Sequence, residues 1–145
     1  MTEPSIILRK IWADEDDDFF EINMTVKSPY CSAEINFYLD NEELKELEKG
    51  LIAFSHFKQK EFTWITGSEV RNVTHFINVR FFFHLNRGHV GIEFILDNKL
   101  DIPEHIRSQF YVTTELASLD DFIKQLQKLI KKETDMVEGI IYTEV

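Results

Sequence analysis

The chain reads as an α+β protein: a single antiparallel β-sheet of about seven strands with two helices packed on one face. Three observations carry that reading. Residues 75–97, HFINVRFFFHLNRGHVGIEFILD, hold two runs that alternate with period two, Ile77, Val79, Phe81 and Phe83, then Val90, Ile92, Phe94 and Leu96, around a turn at Asn86-Arg87 closed by Leu85 and Gly88. This register sets Phe83 against Val90, Phe81 against Ile92, Val79 against Phe94 and Ile77 against Leu96. On the opposite face it sets Arg80 against Glu93, a cross-strand charge pair. Residues 19–39 repeat the pattern about Pro29-Tyr30, pairing Phe20 with Leu39, Ile22 with Phe37, Met24 with Ile35 and Val26 with Ala33. Finally, two stretches switch to a period of three and four, the mark of amphipathic helices.

In chain order, residues 5–12 form a first strand, and Ala13 leads into Asp14, Glu15, Asp16, Asp17 and Asp18. Like charges at that density repel and do not pack, so this is an exposed loop. The 19–39 hairpin follows, with Cys31 on its apolar face. Asp40-Asn41-Glu42-Glu43 has the form of a capping box in which Glu43 reaches back to the Asp40 amide. Leu44, Leu47, Leu51 and Phe54 then make one stripe. Gly50 interrupts this helix at a cost of about 1 kcal/mol relative to Ala, which points to close packing or an early fray. Residues 61–66 read as a short strand ended by Gly67-Ser68, and residues 109–116 as another, after a loop at Asp101-Ile102-Pro103. Ser118-Leu119-Asp120-Asp121 opens the second helix with acids in its first turn, where the helix dipole favours them. Its core stripe is Leu119, Phe122, Ile123, Leu126, Leu129 and Ile130. Residues 1–132 thus form one domain, and residues 133–145 a tail that is either an edge strand or a flexible end.

Composition bounds the function. At 145 residues, 43% hydrophobic and 29% charged, the chain is one globular domain. Its single cysteine permits no internal disulfide. With no basic-then-apolar leader at the N-terminus and no apolar run near the ~20 residues a bilayer crossing needs, the expected location is the cytoplasm. A net charge of −10 disfavours phosphate neutralisation and anionic membranes, and suits a basic partner.

Catalytic and metal signatures are thin. The histidines His56, His75, His84, His89 and His105 fall in no ligand spacing, and one thiol makes no cluster. His84 and His89 face each other across the central hairpin, but an exposed cross-strand pair beside a turn accounts for them without a metal. The 14–18 acids lack the spaced ligands and glycine of a calcium loop. No nucleophile elbow or glycine-rich phosphate loop is present, so neither catalytic residue nor cofactor is assigned and no enzyme is expected. Trp12, Trp64, Phe82 and Tyr111 are candidates for the sheet face turned away from the helices, where large residues around Gly91 shield a glycine in a strand. Core filling or shielding explains them better than base or sugar stacking.

The segments FFEINMTVKSPYCSAEINFYLD, EELKELEKGL, GHVGIEFILD and FYVTTELASLDDFIKQLQKLI, in this order and spacing over residues 5–132, resemble the family of small bacterial proteins around the WapI-type immunity proteins. That resemblance implies a non-enzymatic protein that neutralises a polymorphic toxin domain. Many such toxins are nucleases with basic clefts, and Asp14, Glu15, Asp16, Asp17 and Asp18 are the residues expected to meet one. The second reading is a cytosolic regulatory domain that binds a small ligand in the concavity of the sheet.

Overall fold

The computed structural model describes residues 3–14, 16–69, 74–85 and 88–143. Among these, the elements are β1 Pro4–Asp14, β2 Phe19–Lys27, β3 Ser32–Leu39, α1 Asn41–Ser55, β4 Glu61–Gly67, β5 Phe76–Phe83, β6 His89–Asp97, β7 Arg107–Glu115, α2 Leu116–Ile130 and β8 Met136–Ile141. The protein is α+β and wholly antiparallel, but the strands do not form one sheet. They form two sheets of four, in the orders β3-β2-β1-β8 and β4-β5-β6-β7. The expectation of a single seven-stranded sheet is therefore corrected to eight strands in two sheets. The physical reason lies in α1, which carries the chain from the edge of one sheet to the edge of the other. Alternation along a strand specifies its buried face and is silent about which sheet it joins.

Each sheet is a four-strand meander followed by a helix. The first runs β8-β1-β2-β3 and leads into α1, its opening strand supplied by the end of the chain, and the second runs β4-β5-β6-β7 and leads into α2. The helices cross over: α1 lies along β4, α2 lies along β8, and the two pack on each other. They do not share one face of one sheet. Both put their stripes into the single core that receives the inner faces of both sheets: Leu44, Leu47, Leu51 and Phe54 from α1, with Leu119, Phe122, Leu126 and Leu129 from α2. The space left between the sheets, lined by Leu8, Met24, Trp64, Phe81 and Phe122 among others, is only about 20 Å³.

Both hairpin registers stand as read: Met24 opposes Ile35 and Phe20 opposes Leu39, while Arg80 opposes Glu93 and Phe81, in the core, opposes Ile92. The turn residues Asn86 and Arg87 lie outside the described residues. Three local readings change. Asp40 caps α1 by accepting from Glu43 N–H at 2.9 Å, but the Glu43 carboxylate does not return to Asp40; it accepts from Thr66 instead. The second helix begins at Leu116 rather than around Ser118, so Asp120 and Asp121 sit beyond its first turn, and Ser118 Oγ accepts from Ile141 N–H at 2.8 Å. Cys31 precedes β3 and is half-buried instead of lying within the apolar row.

The tail is built into the fold. β8 pairs with β1 from Arg9↔Met136 to Pro4↔Ile141 and buries Val137 and Ile140. The sheets are stitched at this side by a bridge between Thr114 and Tyr142, by Thr143 N–H donating to Thr113 O at 2.9 Å, and by the Thr114 hydroxyl donating to Ile141 O at 2.6 Å. The opposite edge of each sheet, β3 in one and β4 in the other, has no ladder partner among the described residues.

Candidate partner-binding face

The outer surface of the β3-β2-β1 sheet carries a row of exposed aromatic rings. Trp12, Phe19 and Tyr38 are 48%, 43% and 39% exposed, one from each strand. Phe19 stacks on Tyr38 with ring centres 5.3 Å apart and planes 7° apart, and meets Trp12 edge-on at 6.1 Å. Contacts of this kind contribute about 0.5–1.5 kcal/mol beyond area burial and hold the rings in place. A β-bulge makes the row possible. The β1–β2 register shifts between Lys10 and Trp12, leaving Ile11 as the extra residue. Ile6, Leu8 and Lys10 face the core side, so strict alternation would turn Trp12 inward as well. The inserted residue reverses its direction, placing it opposite Glu21, which also opposes Tyr38.

The acidic segment borders this row. Asp14 ends β1 opposite Phe19, and its carboxylate accepts from Asp16 N–H at 3.0 Å; Phe19 N–H closes the turn onto Asp17 O at 2.9 Å. Asp18 reaches across to the start of α1 and accepts from Asn41 N–H at 3.0 Å, where the helix dipole favours a negative charge. The carboxylates of Asp14 and Asp18 thus tie down residues 16–18, with Asp16, Asp17 and Asp18 exposed. Glu15, the second of the five acids expected from the sequence to meet a partner, lies outside the described residues. The row ends at the open edge of β3, beside a cleft of about 540 Å³ lined by residues 34–38 of that strand, Thr74, Asn98, Leu100 and Ile106.

Other polar clusters are internal to the fold. The Thr66 hydroxyl donates to Glu43 Oε2 at 2.6 Å and lies 3.0 Å from His75 Nε2, while the Thr74 hydroxyl lies 3.2 Å from His75 Nδ1. A consistent chain of donors runs from Thr74 through a neutral His75 carrying its proton on Nε2, then through Thr66, to Glu43. Burial lowers the His75 pKa and raises that of Glu43, the latter only partly offset by the bond from Thr66. Thr66 and His75 are both buried, and the cluster ties α1 to β4 and to the start of β5.

On the outer face of the second sheet, Glu93 accepts from Arg80 Nε, Gln109 Nε2 and the Tyr111 hydroxyl, all at 2.9 Å. The Arg80 bond is the main cause of its lowered pKa. Burial alone would raise Asp97, but the Lys99 amide, Arg107 and His105 outweigh it and lower its pKa. His84 and His89 meet through the backbone, His84 N–H donating to His89 O at 2.8 Å. No group of three or more His, Cys, Asp or Glu side chains among the described residues is arranged to hold a metal ion.

Of the four aromatics considered from sequence, Trp12, Phe82 and Tyr111 lie on outer faces, though of two different sheets. Trp64 is in the core, donating from Nε1 to Glu43 O at 3.0 Å. Sequence reasoning missed Phe19 and Tyr38 as members of an exposed row. The available signal was that each falls on the polar side of its own alternation, next to a run of acids. No helix among the described residues is long and apolar enough to cross a membrane. No protein-family model, curated protein or solved structure matches the chain.

Proposed function

We propose that the chain is a non-enzymatic binding protein whose outer β3-β2-β1 face takes up a basic protein domain, acting in the cytoplasm as the immunity partner of a polymorphic toxin of the nuclease kind. The observation that carries this reading is the exposed row Trp12, Phe19 and Tyr38 running into the carboxylates of Asp14, Asp16, Asp17 and Asp18. Such a surface matches a guanidinium group twice over. Its plane stacks on a ring while its N–H groups pair with a carboxylate. Rings that are already stacked lose little freedom on binding, which favours them as anchors at the centre of an interface. Around them a net charge of −10 accelerates encounter with a basic cleft and opposes phosphate-bearing competitors. The resemblance to WapI-type immunity proteins agrees with this account. A small ligand between the sheets is less well supported, because the void there is of about 20 Å³, no more than a single water requires.

The test is calorimetric titration with a basic toxin domain, sought first in the gene beside this one. Trp12→Ala and Phe19→Ala are each expected to weaken binding by about 2 kcal/mol or more, roughly 30-fold. Affinity unchanged in both variants would reject the face.

A further inference from the structure

The open edge of β3 has a phase that can be assigned residue by residue. Ser28 N–H donates to Cys31 O at 2.8 Å across the Pro29-Tyr30 turn. Stepping by two along the ladder, the backbone-bonded pairs are Val26–Ala33, Met24–Ile35, Ile22–Phe37 and Phe20–Leu39. Ser32, Glu34, Asn36 and Tyr38 therefore turn their N–H and C=O groups away from β2, and these groups have no backbone partner among the described residues. Natural edge strands are blunted by lysine, proline, a bulge or a covering element. The sequence of β3, SAEINFYL, has neither lysine nor proline, and its register with β2 is unbroken over all eight residues. Its edge opens into the cleft of about 540 Å³ whose other lining residues include the exposed Leu100 and Ile106.

We propose that β3 receives an extended segment of the partner, alternating basic and apolar residues, as a fifth strand of this sheet. The proposal rests on the binding reading above and names how that partner is held. Backbone pairing to Glu34, Asn36 and Tyr38 supplies register, and side chains supply selectivity. An added strand follows the pleat of the sheet. Its inward residues meet the side of Ile35 and Phe37 together with Leu100 and Ile106, which asks for apolar side chains. Its outward residues stand beside Glu34, Asn36 and Tyr38, with Glu21 one strand further in, which asks for lysine or arginine. Around the neighbouring loop Arg107 pairs with Glu69 and Asp97, Lys99 Nζ donates to the Glu69 carbonyl and keeps its charge, and Asp101 and Glu104 are exposed, so the four acids outnumber the two cations. The local field at the edge is accordingly negative.

The experiment uses the full ¹⁵N-labelled chain and a capped octapeptide of alternating lysine and valine, with a second peptide N-methylated at alternate amides to block one edge. Amide exchange at Glu34, Asn36 and Tyr38 is expected to be fast in the free protein and at least tenfold slower in the presence of saturating peptide. Binding should weaken at least tenfold with the N-methylated peptide registered on its blocked edge, and likewise in Asn36→Pro, which removes an outward N–H. Glu34→Lys, at an exposed site, provides a second variant in case the proline disturbs folding, and is expected to weaken binding several-fold. Equal affinity for both peptides, or protection of these amides by self-association alone, would overturn the proposal. So would shifts confined to Trp12 and Phe19, although that outcome would leave the aromatic face standing as the binding site. An absence of shifts anywhere counts against the edge and the face alike.

Discussion

The imidazole of His75 sits among Phe37, Thr66 and Thr74, and burial holds its pKa below the ordinary 6.5. The unfolded chain therefore binds this proton more readily than the folded one. The histidine's contribution is complete above pH 6.5 and is lost as pH falls toward the lowered folded value, with a limiting slope of about 1.4 kcal/mol per pH unit. Glu43 has the opposite sign: its raised pKa makes the folded state bind the proton more tightly, and stability recovers as pH falls toward 4.5. In urea unfolding from pH 7.5 down to 5.5, the native protein should lose stability and His75→Gln should lose distinctly less. Parallel slopes would mean that His75 is not held neutral. Gly50 gives a second test at this scale. The Phe62 ring occupies the place where a Cβ at Gly50 would project, so the glycine reports close packing and not a fray. Gly50→Ala, which would add about 1 kcal/mol in an open helix, should instead cost about 1–3 kcal/mol, and Gly50→Ala in a Phe62→Leu background should recover most of it. Neither environment was legible in the sequence, because each is made by residues from another element.

Within elements, hairpins were the most legible features. The partners of Phe81 and Met24 lie within two adjacent strands, and a slip by one residue would turn each apolar row outward. The division into two sheets was not legible, since it depends on α1 leaving β3 and on β8 finding β1 from the far end of the chain. That second pairing makes residues after 132 part of the structure. β8 buries Val137 and Ile140, covers one edge of β1 and lies against α2. Full burial of two such side chains contributes about 3–6 kcal/mol, comparable with the whole stability of many domains of this size. A chain ending at Lys132 should therefore lose its cooperative thermal transition or melt far below the full-length protein. An unchanged midpoint in circular dichroism would show that β8 is dispensable.

Across the whole molecule, the candidate site was half legible. The acids at 14–18 are conspicuous in any reading of the chain, and the exposure of Asp16, Asp17 and Asp18 is what their mutual repulsion calls for. The aromatic row beside them is not, because the bulge at Ile11 decides the direction of Trp12, and three strands must be aligned before Phe19 and Tyr38 become its neighbours. In the proposed complex the two parts would act on different steps of binding. Exposed carboxylates steer encounter over a Debye length, ~10 Å at 0.1 M salt, whereas rings buried in a complex govern how long it lasts.

Stopped-flow association and dissociation with the basic partner domain that the proposed function calls for, across a salt series, therefore tests the central claim most directly. Asp16→Asn with Asp17→Asn changes exposed carboxylates that no hydrogen bond among the described residues requires, leaving Asp14 on Asp16 N–H and Asp18 on Asn41 N–H. This double variant should associate several-fold more slowly at low salt, converge with the native protein as salt rises, and dissociate at the native rate. Trp12→Ala should associate nearly normally and dissociate at least tenfold faster at every ionic strength. Native rates for both variants throughout the series would contradict the account.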